Sequence, residues 1–371
     1  MNISQNSSNS TENIDLWEIL MFKIGSSWAL DTIYLYIITP LGFLGVISNI
    51  ISAFVLFKIS ETHAIYKYYQ VYTANGILIC TIIMLNFYTR TPRYFDFSLT
   101  HGAGVYRCQV LYGSYTLALF GNLINISILL ERLSNFKRSL KYFFKDRPYL
   151  IVLISWLITF VINLPTFFIG IARNDEEFKE ALKSYEKLKD FYYCKRLPFV
   201  NTVLGSITLF LITLIRDFIF TIIELILTFI SYLNLKKFIE NKKILTNNVD
   251  SVKSQGLSRK RSCKAQVFPN KSSTTINQRP TNNTQQKAPS FSNLNRKLQV
   301  MSLSFASLSV FSNLTSLINS LIYILLGNNN LIFHWLALIN ILFFNIRYIL
   351  NFFLFYIFNK NFRAYLKKLF H

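Results

Sequence analysis

Charged residues lie inside and at the ends of long apolar runs, where a charge is costly and by default faces the protein interior or water. Those that could do chemistry are Glu131, Arg132, Arg216, Asp217, Glu224 and Arg347. Acids and arginines at such positions can form ion pairs, contact a polar ligand or line an ion path. The sequence shows no Ser/His/Asp set, zinc-ligand spacing or glycine-rich phosphate loop. We therefore expect no enzymatic activity, no cofactor and no metal ion.

The chain has seven long apolar runs, and three of them carry or border these charges. Of the 371 residues, 52% are hydrophobic and 16% are aromatic. They concentrate in blocks of about 20 residues or more, the length that a helix needs to cross the ~30 Å hydrocarbon layer. The blocks cover residues 33–57, 66–88, 105–130, 149–171, 203–235, 298–326 and 331–358. The sequence thus predicts an all-α membrane protein with a seven-transmembrane-helix bundle over residues 32–358.

The N-terminal segment, residues 1–31, is predicted to be extracellular and glycosylated. Its sequons at Asn2, Asn6 and Asn9 lie close together, and it lacks the basic start and apolar centre of a cleaved signal peptide. With this orientation about 26 of the 39 Lys and Arg residues fall in cytoplasmic segments, as is usual for membrane proteins. We expect a multi-pass plasma-membrane protein with a cytoplasmic C-terminus.

The net charge of +21 follows from this distribution and is mostly a property of the cytoplasmic face. A basic face suits anionic lipid and an acidic protein partner, and nothing in the sequence suggests nucleic acid.

The connecting segments differ in composition. Residues 239–296 are rich in Asn, Gln, Ser, Thr and Lys and are predicted to form a disordered cytoplasmic loop. Residues 172–202 place opposite charges three or four apart, which favours a short exposed helix. Cys108 and Cys194 both fall on the oxidising side and are expected to form a disulfide.

The C-terminal segment, residues 359–371, is predicted to contain a short amphipathic helix that lies in the membrane interface. Phe362, Tyr365, Leu366 and Leu369 recur at helical spacing, and the basic residues fall between them. The lipid bilayer is therefore an expected partner of this helix.

Several motifs, taken in order, resemble those of rhodopsin-like (class A) G-protein-coupled receptors. Asn49 matches the asparagine of the first span, and Asn75 lies near the position of the second-span acid. Glu131-Arg132-Leu133 is similar to the acid-Arg-Tyr triplet that ends the third span.

The later spans extend the resemblance and also depart from it. Trp156 and Pro165 match the pair in the fourth span, and Tyr232 resembles the tyrosine of the fifth, where Glu224 replaces proline. The stretch from Asn351 to Phe355 resembles Asn-Pro-x-x-Tyr with phenylalanine in place of both Pro and Tyr. The sixth span has no proline and no Cys-Trp-x-Pro element.

The resemblance implies a G-protein switch made of Glu131, Arg132, Tyr232, Asn351 and Phe355. Arg132 would pair with Glu131 in the inactive state and contact the G protein in the active state; the alternative is that Arg132 only extends its charge to the interface. Family members often restrain the arginine further with an acid at the inner end of the sixth span. That acid is missing from "NLNRKLQVM", so we expect appreciable basal activity.

Ligand-pocket positions implied by the resemblance are Arg216 and Asp217 in the fifth span. The alternative, given equal weight, is that the two residues pair with each other or with lipid headgroups at the boundary. His334 and Trp335 are further pocket candidates near the outer end of the seventh span, where aromatic residues also commonly anchor a helix at the interface.

Six interior residues have expected structural roles. They are Asn49, Asn75, Trp156, Pro165, Glu224 and Arg347. Arg347 lies one helical turn before Asn351 and is expected to hydrogen-bond to Asn75 or to pair with Glu224. Because Asn75 replaces the family's acid and Arg347 adds a positive charge, the family's sodium site is expected to be lost.

The most favoured function is a receptor for an extracellular ligand that activates a heterotrimeric G protein. No acid between Cys108 and Glu131 offers a counter-ion for an amine, which favours a peptide ligand. Arrestin would contact the Ser/Thr-rich third cytoplasmic loop. The alternatives are a divergent chemosensory receptor, and a seven-helix transporter or channel whose path uses the charges within the spans. The scarcity of glycine, 12 residues, counts against the transporter.

Overall fold

The computed structural model describes the helical part of the chain and a short hairpin. The described residues are 28–59, 64–90, 101–134, 144, 147–168, 170–173, 193–198, 202–237, 239–240, 291–326 and 331–370.

The first two helices form an antiparallel pair. Helix α1 consists of the α-helix Trp28–Ile33, a π-helical turn at Tyr34–Ile38 and the α-helix Thr39–Ile59. Helix α2 spans Ala64–Arg90 and packs along α1.

The next two helices continue the bundle. Helix α3 consists of His101–Val105, a π-helical turn at Tyr106–Val110 and the α-helix Leu111–Ser134. Helix α4 spans Pro148–Asn163 and ends in a 3₁₀ turn at Leu164–Phe168. Its proline occupies the first turn, where no backbone N–H donor is needed within the helix.

A two-stranded antiparallel sheet follows α4. Strand β1, Gly170–Arg173, pairs with β2, Tyr193–Arg196, so that Ala172 lies opposite Cys194. The sheet packs against the π-helical turn of α3. Residues 174–192 of the predicted exposed helix lie outside the described residues, but both ends of that segment are strands, which the charge pattern did not predict.

Helix α5 is helical over residues 203–237. It consists of the α-helix Val203–Thr213, a π-helical turn at Leu214–Ile219 and the α-helical residues 220–237. The side chain of Thr202 caps the helix by accepting a hydrogen bond from the Gly205 amide at 3.1 Å.

The last three helices are uninterrupted. Helix α6 spans Phe291–Leu326, α7 spans Leu331–Phe358 and α8 spans Lys360–Phe370. Asn359 separates α7 from α8 and caps α8, because its side-chain oxygen accepts from the amides of Asn361 and Phe362. A helix is therefore present where the sequence predicts an amphipathic one.

Two boundaries of the predicted loop 239–296 are wrong. Residues 239–240 are helical, and α6 begins at Phe291 instead of near residue 298. The backbone N–H and C=O groups form helical hydrogen bonds whether the side chains are polar or apolar, so a helix can continue past the apolar run that reveals it. Residues 241–290 lie outside the described residues.

Among the described residues, six helices are long and apolar enough to cross a membrane. They correspond to α1–α4, α6 and α7. Helix α5 is not among the six; it carries Arg216, Asp217 and Glu224 within its length. The helices are thus compatible with a protein embedded in a membrane, and the seventh span remains a prediction.

The interior of the bundle contains both apolar and polar side chains. Aromatic rings of α2, α6 and α7 pack against one another around Tyr69, Phe305 and Phe355, with centroids 5.2 Å apart in each pair. Many large apolar side chains of α1, α4 and α5 face outward instead. This inverted distribution suits a hydrocarbon environment better than water.

The predicted interior position of Trp156 is wrong. The buried face of α4 is formed by Ile151, Ser155, Thr159 and Asn163, which recur every four residues. Trp156 is one residue away from that face, is 44% exposed and stacks on Phe160 along the outside of the helix. The resemblance to a motif predicted an interior position for Trp156, but a motif match does not fix the direction in which a side chain points.

Candidate functional site

Glu131 and Arg132 form a buried ion pair at the C-terminal end of α3. The Arg132 Nε and Glu131 Oε2 atoms are 3.0 Å apart, and each residue is 6% exposed. The helix ends two residues later, where the Ser134 hydroxyl donates to the Glu131 carbonyl at 2.6 Å. The pair therefore lies inside the bundle rather than extending its charges into solvent.

Two tyrosines of α2 connect the Arg132 end of α3 to neighbouring helices. The Tyr69 hydroxyl is 2.8 Å from the Ser302 hydroxyl of α6. The Tyr66 hydroxyl accepts from the Asn359 amide at 3.2 Å, at the junction of α7 and α8. Both tyrosines interact electrostatically with Arg132, so the ion pair lies where α2, α3, α6 and α7 converge.

Phe355 completes the wall of this region. It is fully buried and packs edge-on against Tyr69 and nearly face-to-face against Phe362 of α8. Leu133, the residue after Arg132, is also buried. The Arg132 end of the bundle is thus lined by aromatic and apolar side chains.

A carboxylate lies at the centre of the bundle, where Glu224 of α5 is fully buried. Its Oε1 accepts from Asn125 of α3 at 2.7 Å. Its Oε2 accepts from the Ser309 hydroxyl at 2.9 Å and from the Asn313 amide at 3.1 Å, both on α6. Glu224 therefore ties α5 to α3 and α6.

Arg347 of α7 is the largest fully buried side chain among the described residues, with 1% exposure. Its Nε donates to the Tyr72 hydroxyl at 2.7 Å and its Nη1 donates to Asn122 Oδ1 at 3.1 Å. The direct hydrogen bonds predicted to Asn75 or Glu224 are not among its contacts.

Asn122 of α3 links the two buried charges. Its side-chain oxygen accepts from Arg347, and its amide donates to Asn313 at 3.2 Å. Asn313 in turn donates to Glu224. We call this set, Tyr72, Asn122, Asn125, Glu224, Ser309, Asn313 and Arg347, the core network; it joins α2, α3, α5, α6 and α7.

A group of asparagines lies beside the core network. Asn49 donates to the Gly45 carbonyl at 2.7 Å and to the Tyr348 carbonyl at 3.2 Å. Asn75 donates to the Leu117 carbonyl at 2.9 Å, and Asn351 is fully buried. Asn75 is therefore a neutral hydrogen-bonding residue between α2 and α3.

Arg216 and Asp217 form a second buried ion pair, in the π-helical turn of α5. The Arg216 Nε and Nη2 donate to the two carboxylate oxygens of Asp217 at 2.7 and 2.6 Å. Asp217 also accepts from the Ser320 hydroxyl of α6 at 3.1 Å, and the guanidinium lies 4.3 Å from the Tyr115 ring centroid of α3. The mutual pairing that the sequence left open is thus present, and it faces the interior.

The structure does not bring every candidate site residue into these clusters. Tyr232 is 52% exposed on the outer face of α5, and Trp335 is partly exposed near the start of α7. His334 lies on the same helix, but its side chain is outside the described residues. Pro165 lies half-buried in the 3₁₀ turn after α4.

Cys108 is buried in the π-helical turn of α3 and is disulfide-bonded. Strand β2, which contains Cys194, packs against that turn. The side chain of Cys194 lies outside the described residues, so the Cys108–Cys194 pairing stays a prediction. The sequons at Asn2, Asn6 and Asn9 also lie outside the described residues.

Sequence reasoning missed most polar partners of the buried charges. Those on α6 are Ser309, Asn313 and Ser320. Their spacings of four and seven residues place them on one face of a helix, and that periodicity was a readable signal. The partners on α2 and α3 show no comparable periodicity in the sequence. They are Tyr72, Tyr115, Asn122 and Asn125.

No group of His, Cys, Asp and Glu that could hold a metal ion occurs within the described part of the chain. The charged residues instead form three sites along the bundle: the Glu131–Arg132 pair, the core network and the Arg216–Asp217 pair. Such buried ionic contacts can bias helix positions, because breaking them leaves unpaired charges.

Comparison with known proteins adds no functional assignment. No protein-family model matches the sequence, and no curated protein is similar enough to count as a match.

Proposed function

We propose that this protein is a seven-helix receptor that binds an extracellular ligand and activates a heterotrimeric G protein. The observation that carries the proposal is the buried Glu131–Arg132 ion pair, 3.0 Å long, at the end of α3. In the closed bundle Arg132 is paired and 6% exposed. Outward movement of α6 would open a cytoplasmic cavity in which Arg132 could contact the G protein.

The proposed seven-helix architecture includes α5 as a membrane span. All three charges of α5 that face the bundle are hydrogen-bonded within it, which lowers the cost of placing them in a membrane. The helix is also long enough to cross the bilayer, because residues 203–237 are helical throughout.

Ligand binding is proposed at the Arg216 end of the bundle. An acidic group on a peptide would compete with Asp217 for the Arg216 guanidinium. Because Asp217 also accepts from Ser320 of α6, such competition would change a contact between α5 and α6. A ligand can stabilise the open form only through this kind of differential contact.

Ligand-independent nucleotide exchange on a purified G protein tests the coupling. The receptor, reconstituted in lipid nanodiscs, is expected to accelerate exchange in proportion to its concentration. Arg132→Ala should abolish the acceleration, because it removes the side chain proposed to contact the G protein. The matched control is Arg363→Ala: Arg363 is an exposed arginine that donates to the Tyr356 and Ile357 carbonyls of its own chain segment.

An exchange rate that does not change with receptor concentration would contradict coupling to the G protein tested. If panels representing all major G-protein classes gave that result, the proposed function would be wrong. Equal activity of the Arg132→Ala and wild-type proteins would instead remove Arg132 from the coupling site. The arrestin contact proposed for the third cytoplasmic loop concerns residues 241–290, which lie outside the described residues.

A further inference from the structure

Ser302 of α6 lies close to the Arg132 end of the bundle and contacts α2 through one hydroxyl pair. The Tyr69 and Ser302 hydroxyl oxygens are 2.8 Å apart, and both residues are almost completely buried. No acid occurs in the adjoining stretch "NLNRKLQVM". Near the Arg132 end of the bundle, α6 therefore contacts Tyr69 of α2 through a hydroxyl group, and the adjoining stretch of α6 offers no acid to pair with Arg132.

The direction of this hydrogen bond follows from the number of protons available. Ser302 Oγ donates its single proton to the Leu298 carbonyl, 2.9 Å away. Ser302 must then accept from Tyr69, so the tyrosine hydroxyl is the donor. The bond exists only while α6 keeps Ser302 against α2.

The Tyr69 ring adds contacts to two other helices. Its centroid is 5.2 Å from that of Phe305 on α6 and 5.2 Å from that of Phe355 on α7. The ring is also within electrostatic range of Arg132 of α3. Tyr69 is thus in contact with α6 and α7 at the level where α3 carries its ion pair.

We infer that Tyr69 is a positioning residue that holds α6 closed against α2, and so keeps Arg132 covered. The consequence for signalling rests on the proposed function, whereas the effect on α6 does not. Losing one hydrogen bond shifts a two-state equilibrium by about five-fold. Removal of the Tyr69 hydroxyl is expected to increase the open population of α6 by about that factor.

Electron spin resonance distances can measure the α6 position in the full-length protein in nanodiscs. Spin labels on unnatural amino acids at Lys58 of α1 and Lys297 of α6 use two exposed sites and avoid the native cysteines. Wild type is expected to give mainly one distance. Tyr69→Phe and Ser302→Ala are each expected to add a second, longer distance.

Tyr68→Phe is the matched control. Tyr68 is a fully buried tyrosine of the same helix, and its hydroxyl donates to the Phe144 carbonyl at 3.0 Å instead of to α6. This variant should keep the wild-type distance even if its thermal stability falls. Unchanged distances in both Tyr69→Phe and Ser302→Ala would overturn the inference, as would equal changes in all three variants.

Nucleotide exchange measured on the same samples separates the two proposals. If α6 opens in Tyr69→Phe and exchange rises by a similar factor, both are supported. If α6 opens but no G protein responds, the positioning role stands and the proposed function fails. If exchange is fast but α6 does not move in either variant, the positioning role fails alone.

Discussion

Glu131–Arg132 and Arg216–Asp217 are pairs of sequence neighbours whose side chains nevertheless meet. Adjacent helical residues point about 100° apart, so such pairs are not expected from helical spacing. A long arginine side chain can fold back around the helix, and at Arg216 the π-helical turn also changes the local geometry. Each pair neutralises its own charges, which explains how four charged groups can lie in the interior.

The opposite charges of Glu224 and Arg347 are not in direct contact. A chain of hydrogen bonds through Asn122 and Asn313 connects them. The charges also interact electrostatically across these amides. Removing one charge would leave the other buried without its opposite, a situation that typically costs more than removing both.

We therefore predict that Glu224 and Arg347 are energetically coupled. Arg347→Gln alone should lower the free energy of unfolding by about 3 kcal/mol. The double variant Glu224→Gln/Arg347→Gln should be more stable than the sum of the single effects by about 1–3 kcal/mol. Reversible unfolding of the detergent-solubilised single and double variants measures this coupling.

Glu240→Gln/Lys367→Gln provides the control for these double-variant measurements, because both residues are exposed. Their effects should be small and additive. Additive losses for Glu224 and Arg347 as well would show that the core network does not couple them.

At the scale of elements, α6 is a helix that polar contacts hold along most of its length. It has no proline and runs without interruption from Phe291 to Leu326. Its polar face contacts Tyr69 through Ser302, Glu224 through Ser309 and Asn313, and Asp217 through Ser320. Hydrogen bonds along most of its length therefore set its position, so movement of α6 would have to break its contacts with Tyr69, Glu224 and Asp217.

The packing of α3 against α2 and α7 depends on the absence of a side chain at Gly121. A β-carbon there would lie 2.9 Å from Asn75 Nδ2 and 2.9 Å from the Tyr348 hydroxyl. Such distances require the amide or the tyrosine to move, and both belong to the buried polar interior. The glycine thus allows α3 to approach its neighbours closely.

Gly121→Ala is predicted to lower the free energy of unfolding by about 1–3 kcal/mol through overpacking. This sign is opposite to the gain of about 1 kcal/mol that alanine usually gives inside a helix. Thermal unfolding of the variant in detergent measures the change.

Gly113→Ala on the same helix is the comparison, because its β-carbon would meet only the Phe167 ring, at 3.3 Å. It should be tolerated with a smaller change. A Gly121→Ala protein as stable as wild type would show that α3 can shift without loss.

At the scale of the whole molecule, the bundle has charged and amide groups inside and apolar side chains outside. Within the described residues six helices meet the length and composition needed to cross a membrane, and in the proposed architecture α5 is the seventh span. The location of the two termini depends on this one helix.

We predict that α5 crosses the membrane, so the segments on either side of it lie on opposite sides. An epitope tag inserted within residues 174–192 should be accessible on intact cells. A tag within residues 241–290 should become accessible only after permeabilisation. Immunofluorescence with and without detergent distinguishes the two, and a cytosolic marker verifies that unpermeabilised cells are intact.

Tags found on the same side of the membrane would contradict a span between them. The seven-helix bundle, and with it the proposed receptor, would then be wrong.

The sequence by itself determined where the long helices lie and which charged residues within or beside them are unusual. Long apolar runs reveal helices because each must satisfy its backbone hydrogen bonds internally in an apolar environment. Charges within those runs are conspicuous for the same reason, so Glu131, Arg132, Arg216, Asp217, Glu224 and Arg347 could be singled out. All six are buried.

Only the tertiary structure decided which partner each charge has and which way each side chain faces. Arg347 contacts Tyr72 and Asn122, and Trp156 faces outward, although motif spacing suggested otherwise. Sequence spacing fixes relations within one helix, whereas the rotation and depth of a helix against its neighbours depend on packing of the whole bundle. The contacts of Glu224 with α3 and α6 could emerge only from that packing.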